Sequence, residues 1–321
     1  MVTTPTWLFI WPPLIFPPLA ALSSPSWPLI WMLLEINMFS YLVVLLFQSS
    51  PIATETTVKY FIAQAPRSSV ILLSAISFTH TKSLISLILL IRAVVFKIGM
   101  APFHQWFLSV AKGLKTIPFT LLLTWQKLMP LCLIFLYGIP LKIINILIIL
   151  NALIGAMGGV GQTLIRPLLC FSSINHTAWI ILAIKASTLV FLTYTRVYFL
   201  IIFSLITSIA EDLPLNHWAE SRNHKTVKKI PIFSTALLSL AGIPPLIGFT
   251  IKWIVLFNNR SDLFVVITLI LGSIVTLLYY IKITLVLTFK TAHITRPLYN
   301  KTTITLILIN YTGPILLLLI L

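Results

Sequence analysis

The sequence predicts an all-α polytopic membrane protein of about eleven transmembrane helices, and three observations carry that prediction. Of its 321 residues, 59% are hydrophobic and 9% charged, where a soluble domain carries about 25% charged residues. Mean hydropathy is +1.04. The apolar residues run in continuous blocks of about 20, the length of a spanning helix, without the alternation of a barrel strand. Lipid leaves only helices or closed barrels as ways to satisfy the backbone, so the block pattern selects helices.

The blocks lie at about 7–22, 27–47, 58–78, 83–114, 117–138, 141–161, 168–184, 188–209, 231–257, 263–288 and 303–321. They form a single transmembrane domain over 1–321 with no soluble part. Pro12, Pro13, Pro17 and Pro18 should kink the first span. Glu211–Lys229 is the longest polar stretch and reads as a loop or a short interfacial helix. Lys and Arg sort unevenly: eleven fall in loops on the N-terminal side and four opposite. That bias puts the N-terminus on the cytoplasmic or matrix side and the C-terminus across the membrane. Met1–Ser26 contains no Lys or Arg, so no cleavable presequence is expected there.

The formal net charge of +16 would suggest nucleic acid in a soluble chain. Here the cations are scattered singly between apolar blocks, which fits topology signals and anionic lipid headgroups, with no nucleic-acid partner. Cys132 and Cys170 lie in apolar blocks without a CxxC neighbour and read as small core hydrophobes. No metal site is expected.

Two spans are interrupted. The fourth carries Gly99 and Pro102, and the ninth carries Gly242, Pro244, Pro245 and Gly248. Proline removes a backbone donor and glycine loosens the chain, so both helices should open in the membrane. Freed backbone at that depth is tolerated only beside protein or a cavity. The breaks fall at matching places in spans 1–5 and 6–10. Five spans per unit is odd, so the second unit would be inverted relative to the first. This predicts two inverted five-helix repeats, about 1–138 and 141–288, each with one broken helix, and a final helix at about 303–321. Paired broken helices in inverted repeats mark a transport site.

Seven cations fall within spans, Arg67, Arg92, Lys97, Lys127, Arg196, Lys252 and Lys282, against the single carboxylate Glu35. A charge at the bilayer centre costs at least about 2.5–3.5 kcal/mol, which makes a deep one a functional candidate. Lys282 should snorkel from its span end, and the arginines sit at intermediate depth. Glu35, Lys97, Lys127 and Lys252 occupy the middle of their spans. Moving protons through hydrocarbon needs groups that switch protonation. Desolvation weakens a lysine's hold on its proton and a nearby carboxylate restores it, whereas arginine stays charged. One carboxylate among several lysines therefore suggests a relay gated by Glu35, with spans two and four as neighbours. His104 and His176 titrate near neutrality and are possible carriers, though His176 could equally be a satisfied core residue. His80, His217, His224 and His293 fall in loops.

These residues also resemble a known family. Lys97-Ile98-Gly99-Met100-Ala101-Pro102-Phe103-His104 with Trp106, Thr124-Trp125-Gln126-Lys127 with Pro130, and Leu240 to Phe249 with Lys252-Trp253 are similar to segments of the mitochondrial NADH dehydrogenase subunit 2 family. So are Trp31 with Glu35-Ile36-Asn37, Gly158-Gly159 with Gln162-Thr163 and Arg166, and Ser172-Ser173-Ile174-Asn175-His176. The sequence departs from the family pattern in its Pro-rich first span, at Gly161, at Pro167 after Arg166, and at Ile251. The resemblance implies an antiporter-like, proton-translocating membrane-arm subunit of respiratory complex I. It implies Glu35 as gating carboxylate, Lys97 as its partner, Lys127 as central relay and Lys252 at the second broken helix. It further implies a place in the mitochondrial inner membrane, N-terminus in the matrix and C-terminus in the intermembrane space. Its partners there would be neighbouring antiporter-like and accessory subunits, and lipid. NADH, FMN, iron–sulfur clusters and ubiquinone would be held elsewhere in the complex, with no cofactor and no redox step in this chain. Two rivals remain: a stand-alone cation/proton antiporter, and a scaffold whose lysines are dispensable.

Overall fold

The computed structural model describes residues 4–24, 26–48, 50–137, 140–208, 230–259 and 262–291, with 305, 307, 308 and 310–312. Among these residues the chain forms thirteen helices and no strand: α1 Thr4–Ser23, α2 Trp27–Leu46, α3 Pro51–Thr81, α4 Leu84–Ile98, α5 Gln105–Lys112, α6 Thr116–Leu123, α7 Trp125–Tyr137, α8 Leu141–Gly159, α9 Ile165–Ala186, α10 Thr188–Ser208, α11 Ile230–Ala241, α12 Ile247–Asn258 and α13 Leu263–Thr291. By length and composition, seven of the described segments can cross a membrane, α6 and α7 counting together as one. The stretch 211–229, the final span 303–321, and His217, His224 and His293 lie outside the described residues, apart from the few positions named near the end.

The helix ends follow local chemistry. The Ser50 side chain caps α3 by accepting from the Ala53 amide at 3.2 Å, and Pro51 follows where a missing N–H costs nothing. Ser83 caps α4 in the same way. α4 stops at Gly99, whose φ of +77° is a conformation that favours glycine.

The chain divides into two compact units, Met1–Ile143 and Ile144–Leu321. In the first, α3 packs against α2, α4 and α5, while α1 lies on α2 and α7. At 31 residues, α3 starts earlier than the predicted third span. Direct packing of spans two and four was expected. α3 packs against both, and the C-terminal end of α4 also meets α2 around a small cavity lined by Leu34, Asn37, Met38 and Lys97.

In the second unit α9 contacts α10, α12 and α13, and every residue from Pro167 to Ala183 is buried. Its buried hydroxyls turn back on their own helix, Ser172, Ser173 and Thr177 each donating to the carbonyl three residues earlier. α8 lies close against α9 at Gly155, where a Cβ would come within 2.6 Å of the Asn175 amide nitrogen. At one end of this unit Asp262 accepts from Lys185 Nζ and, at 3.3 Å, from Asn145 Nδ2, tying α8, α9 and the start of α13 together. The hydrogen bond from Lys185 and its charge hold the Asp262 carboxyl below the usual carboxylate range.

α1 continues through all four prolines. Pro18 has no N–H to give the Leu14 carbonyl four residues earlier, and the indole Nε1 of Trp125 donates to that oxygen at 2.8 Å. The fifth span differs from expectation and is interrupted at Thr124, with φ −114° and ψ −78°, so Lys127 stands in the first turn of α7. Periodicity misses this break because no proline or glycine marks it.

Trp125→Phe should lower the thermal stability of the purified assembly by about 1 kcal/mol, one buried hydrogen bond. In a Pro18→Ala background, where residue 18 can donate to Leu14 itself, the same change should be nearly neutral. Equal losses in both backgrounds would refute this account of the Trp125 contact.

Candidate functional site

At the first break the Phe96 carbonyl accepts from the Gly99 amide at 3.0 Å, and side chains add donors to the carbonyls around it. Trp106 Nε1 donates to the Phe96 carbonyl at 3.0 Å, and Gln64 Nε2 of α3 donates to the Lys97 carbonyl at 3.1 Å. The Ala101–Pro102 peptide is cis. Gly99 is required for space as well as for φ, because a Cβ there would stand 2.9 Å from Phe107 Cβ. Lys97 is 8% exposed, and its Nζ is buried without a hydrogen-bond partner. It shares a cavity with Asn37, Tyr60, Gln64 and Gln126. Asn37 and Gln126 exchange amide hydrogen bonds at 3.5 and 3.3 Å, and Tyr60 Oη donates to Gln126 Oε1 at 3.1 Å.

Glu35 is half-buried on α2, and its carboxylate accepts from Ser68 Oγ of α3. Lys97 is near enough for the two charges to interact. Arg67 and Arg92 gather at the same break, with guanidinium carbons 3.8 Å from the Phe96 ring centre and 5.9 Å from that of Phe103. Lys127 is 3% exposed and places its Nζ 4.6 Å from the centre of the Phe107 ring. His104 occupies the N-cap position of α5. The structure therefore assembles Glu35, Lys97, Lys127 and His104 in the unit Met1–Ile143.

Lys252 and His176 belong to the other unit. Here the break after α11 turns at Gly242, φ +86°, and contains the cis Pro244–Pro245 peptide. Lys252 Nζ donates to the carbonyls of Leu240 and Ala241, both at 2.9 Å, and stands 5.7 Å from the Trp179 ring centre. Those last carbonyls of α11 form the negative end of its dipole, a favourable seat for an ammonium. A Cβ on Gly242 would crowd Lys252 Nζ at 3.2 Å, and one on Gly248 would stand 1.6 Å from the Ser239 carbonyl oxygen. Only glycine lets α12 begin against the backbone of α11. His176, 4% exposed, has Nδ1 2.9 Å from Tyr194 Oη, with its ring 5.1 Å from that of Tyr198.

Sequence reading passed over Gln64, Ser68, Tyr60, Trp179 and Tyr194. The available signal was polar side chains within otherwise apolar spans, strongest for Gln64 and Gln126. Among the other cations, Lys282 is exposed on α13. Both cysteines are buried and unbridged.

The description NADH:quinone oxidoreductase/Mrp antiporter, transmembrane, fits residues 24–278. NADH-ubiquinone oxidoreductase chain 2 of Anopheles gambiae is 36% identical over 283 residues, covering 84% of this chain and 82% of the relative. The protein of the same name from Branchiostoma lanceolatum is 34% identical over 278 residues, 81% of this chain and 80% of the relative. Among solved structures, respiratory complex I from Thermus thermophilus with bound aureothin contains a similar fold, with TM-score 0.74, 23% identity, and coverage of 93% of this chain and 74% of that one. The Mrp complex from a Dietzia species matches with TM-score 0.68 and 17% identity, over 82% of this chain and 56% of its counterpart.

The two settings of lysine should separate in stability. Lys252→Met strips two buried carbonyls of their donor, each worth about 1–3 kcal/mol. Lys97→Met removes an ammonium that donates to no protein group. Thermal unfolding of the purified assembly should therefore fall clearly for Lys252→Met and stay level or rise for Lys97→Met. The reverse order would contradict these assignments.

Proposed function

The chain belongs to the NADH:quinone oxidoreductase/Mrp antiporter transmembrane family, and on that premise we propose that it is the chain 2 type of proton-translocating subunit in respiratory complex I. In this reading it spans the mitochondrial inner membrane with its N-terminus in the matrix and its C-terminus in the intermembrane space. It works among the other membrane-arm and accessory subunits. NADH, FMN, iron–sulfur clusters and ubiquinone are handled elsewhere in the complex, so its share of the oxidoreductase reaction is movement of protons. The matched breaks are read as belonging to two inverted five-helix repeats, about 1–138 and 141–288, with a final helix at about 303–321.

The observation that carries the proposal is three lysines buried at helix interruptions, Lys97, Lys127 and Lys252. An ammonium in a dry site keeps its proton while a carboxylate faces it and releases it more readily when that carboxylate turns away. Glu35 has two partners, the charge of Lys97 and the hydroxyl of Ser68, so its orientation can bias Lys97. Lys127, buried over the Phe107 ring, is read as the central relay. Lys252 Nζ is oriented by the two carbonyls at the end of α11.

A stand-alone cation/proton antiporter is the second reading, favoured by the Mrp half of the family description. Isolation from native membrane distinguishes them, since a free monomer supports the antiporter and a large redox complex supports the pump.

Turnover should require proton exchange at Lys127. Lys127→Arg keeps the charge but cannot release it in the working pH range, and Lys127→Met keeps the length without the charge. Both variants should assemble yet lose proton pumping in reconstituted complex, and tightly coupled NADH oxidation should slow with it. Lys282→Met is the control and should pump normally. Normal pumping by Lys127→Arg would show that charge alone is needed and would remove Lys127 from the relay.

A further inference from the structure

Two polar atoms in the first unit are buried without partners and face a common space. Lys97 Nζ and Gln64 Oε1 make no hydrogen bond in the protein, although Lys97 is 8% and Gln64 3% exposed. Both residues line the same cavity with Asn37, Tyr60 and Gln126. The cavity has room for about one water molecule. Gln64 cannot turn its oxygen away freely, because its Nε2 is engaged by the Lys97 carbonyl at 3.1 Å. With the amide nitrogen held there, the oxygen is left as a fixed acceptor beside an ammonium, which has only donors to offer.

A donor and an acceptor buried together in hydrocarbon are each expensive to leave unpaired. A single water resolves both: its oxygen accepts from Lys97 Nζ and one of its hydrogens goes to Gln64 Oε1. The opposite wall is neutral and closed on itself, because Asn37 and Gln126 bond each other and Tyr60 bonds Gln126. Amides and a phenol do not exchange protons readily near neutral pH, so this wall cannot itself relay one.

We propose that Lys97 and Gln64 hold an ordered water in this cavity and that Gln64 is a positioning residue, orienting that water as the proton-exchange partner of Lys97. This rests on the pump reading above. Exchange is balanced through water. As a Lys97 N–H bond breaks, its proton forms a new O–H bond on the water, and that water gives up one of its own protons to further water entering the cavity, so that a neutral amine and no trapped hydronium are left. The reverse transfer restores the ammonium. Gln64 neither gains nor loses a proton.

The test compares two replacements of Gln64 in the intact complex. Gln64→Leu removes the acceptor and fills its volume with hydrocarbon. Gln64→Ala removes it too but leaves space for a second water to take the same position. If water is what matters, Gln64→Leu should pump roughly tenfold less than wild type per unit of complex while Gln64→Ala retains most of its pumping. If Gln64 serves only to tie α3 to the end of α4, the alanine variant should be the worse of the two. The proposal is overturned if the leucine variant assembles and pumps normally, or if alanine falls with leucine. Density for a water within hydrogen-bond distance of both atoms, in a structure resolving ordered solvent, should be present in wild type and absent from Gln64→Leu. Should the leucine variant not assemble, that wild-type density decides the matter, and its absence overturns the site. Lys97→Met separates the two ideas. Normal pumping by that variant would defeat the relay reading itself, whereas loss of pumping with an unaffected Gln64→Leu would defeat only the water site.

Discussion

Every carbonyl released when a helix breaks inside this bundle needs a donor from the chain itself, because hydrocarbon supplies none. That constraint explains the placement of side chains with otherwise separate functions. The Leu14 carbonyl, left without a donor by Pro18, takes the indole of Trp125; the Lys97 carbonyl takes Gln64; those of Leu240 and Ala241 take Lys252; and the Phe96 carbonyl, already bonded by the Gly99 amide, takes Trp106 as a second donor. Each interruption is thereby stitched to a neighbouring turn or helix. The stitches lie where the chain leaves regular structure, so they also fix the geometry around the buried charges.

The same requirement divides the lysines into different kinds of site. Lys252 performs the backbone role itself, and its ammonium is fixed by two carbonyls at the end of a half-helix. At the first break that role falls to Gln64 and Trp106, which frees the Lys97 ammonium for the cavity. Lys127 stands at a third interruption and lies over an aromatic ring. Tight backbone approach supports the arrangement. Gly248 sits so close to Ser239 that no side chain fits, which brings Lys252 back to the carbonyls that precede the break.

Composition and block length determined the helical membrane fold, since nothing else satisfies a backbone in chains this apolar. Glycine and proline marked the breaks at Gly99 and Gly242 because they act locally through φ and the missing N–H. The rarity of buried charge made Glu35, Lys97, Lys127 and Lys252 visible as candidates before any coordinates. What only tertiary structure decided was the partner of each group. The interruption at Thr124 carries no local mark. Ser68 reaches Glu35 from 33 residues away, and Trp125 reaches Leu14 from 111. α3 packs against both α2 and α4, and no periodicity specifies that. Such pairings depend on which helices become neighbours. A sequence states which groups hydrocarbon will not tolerate alone, and packing chooses what satisfies them.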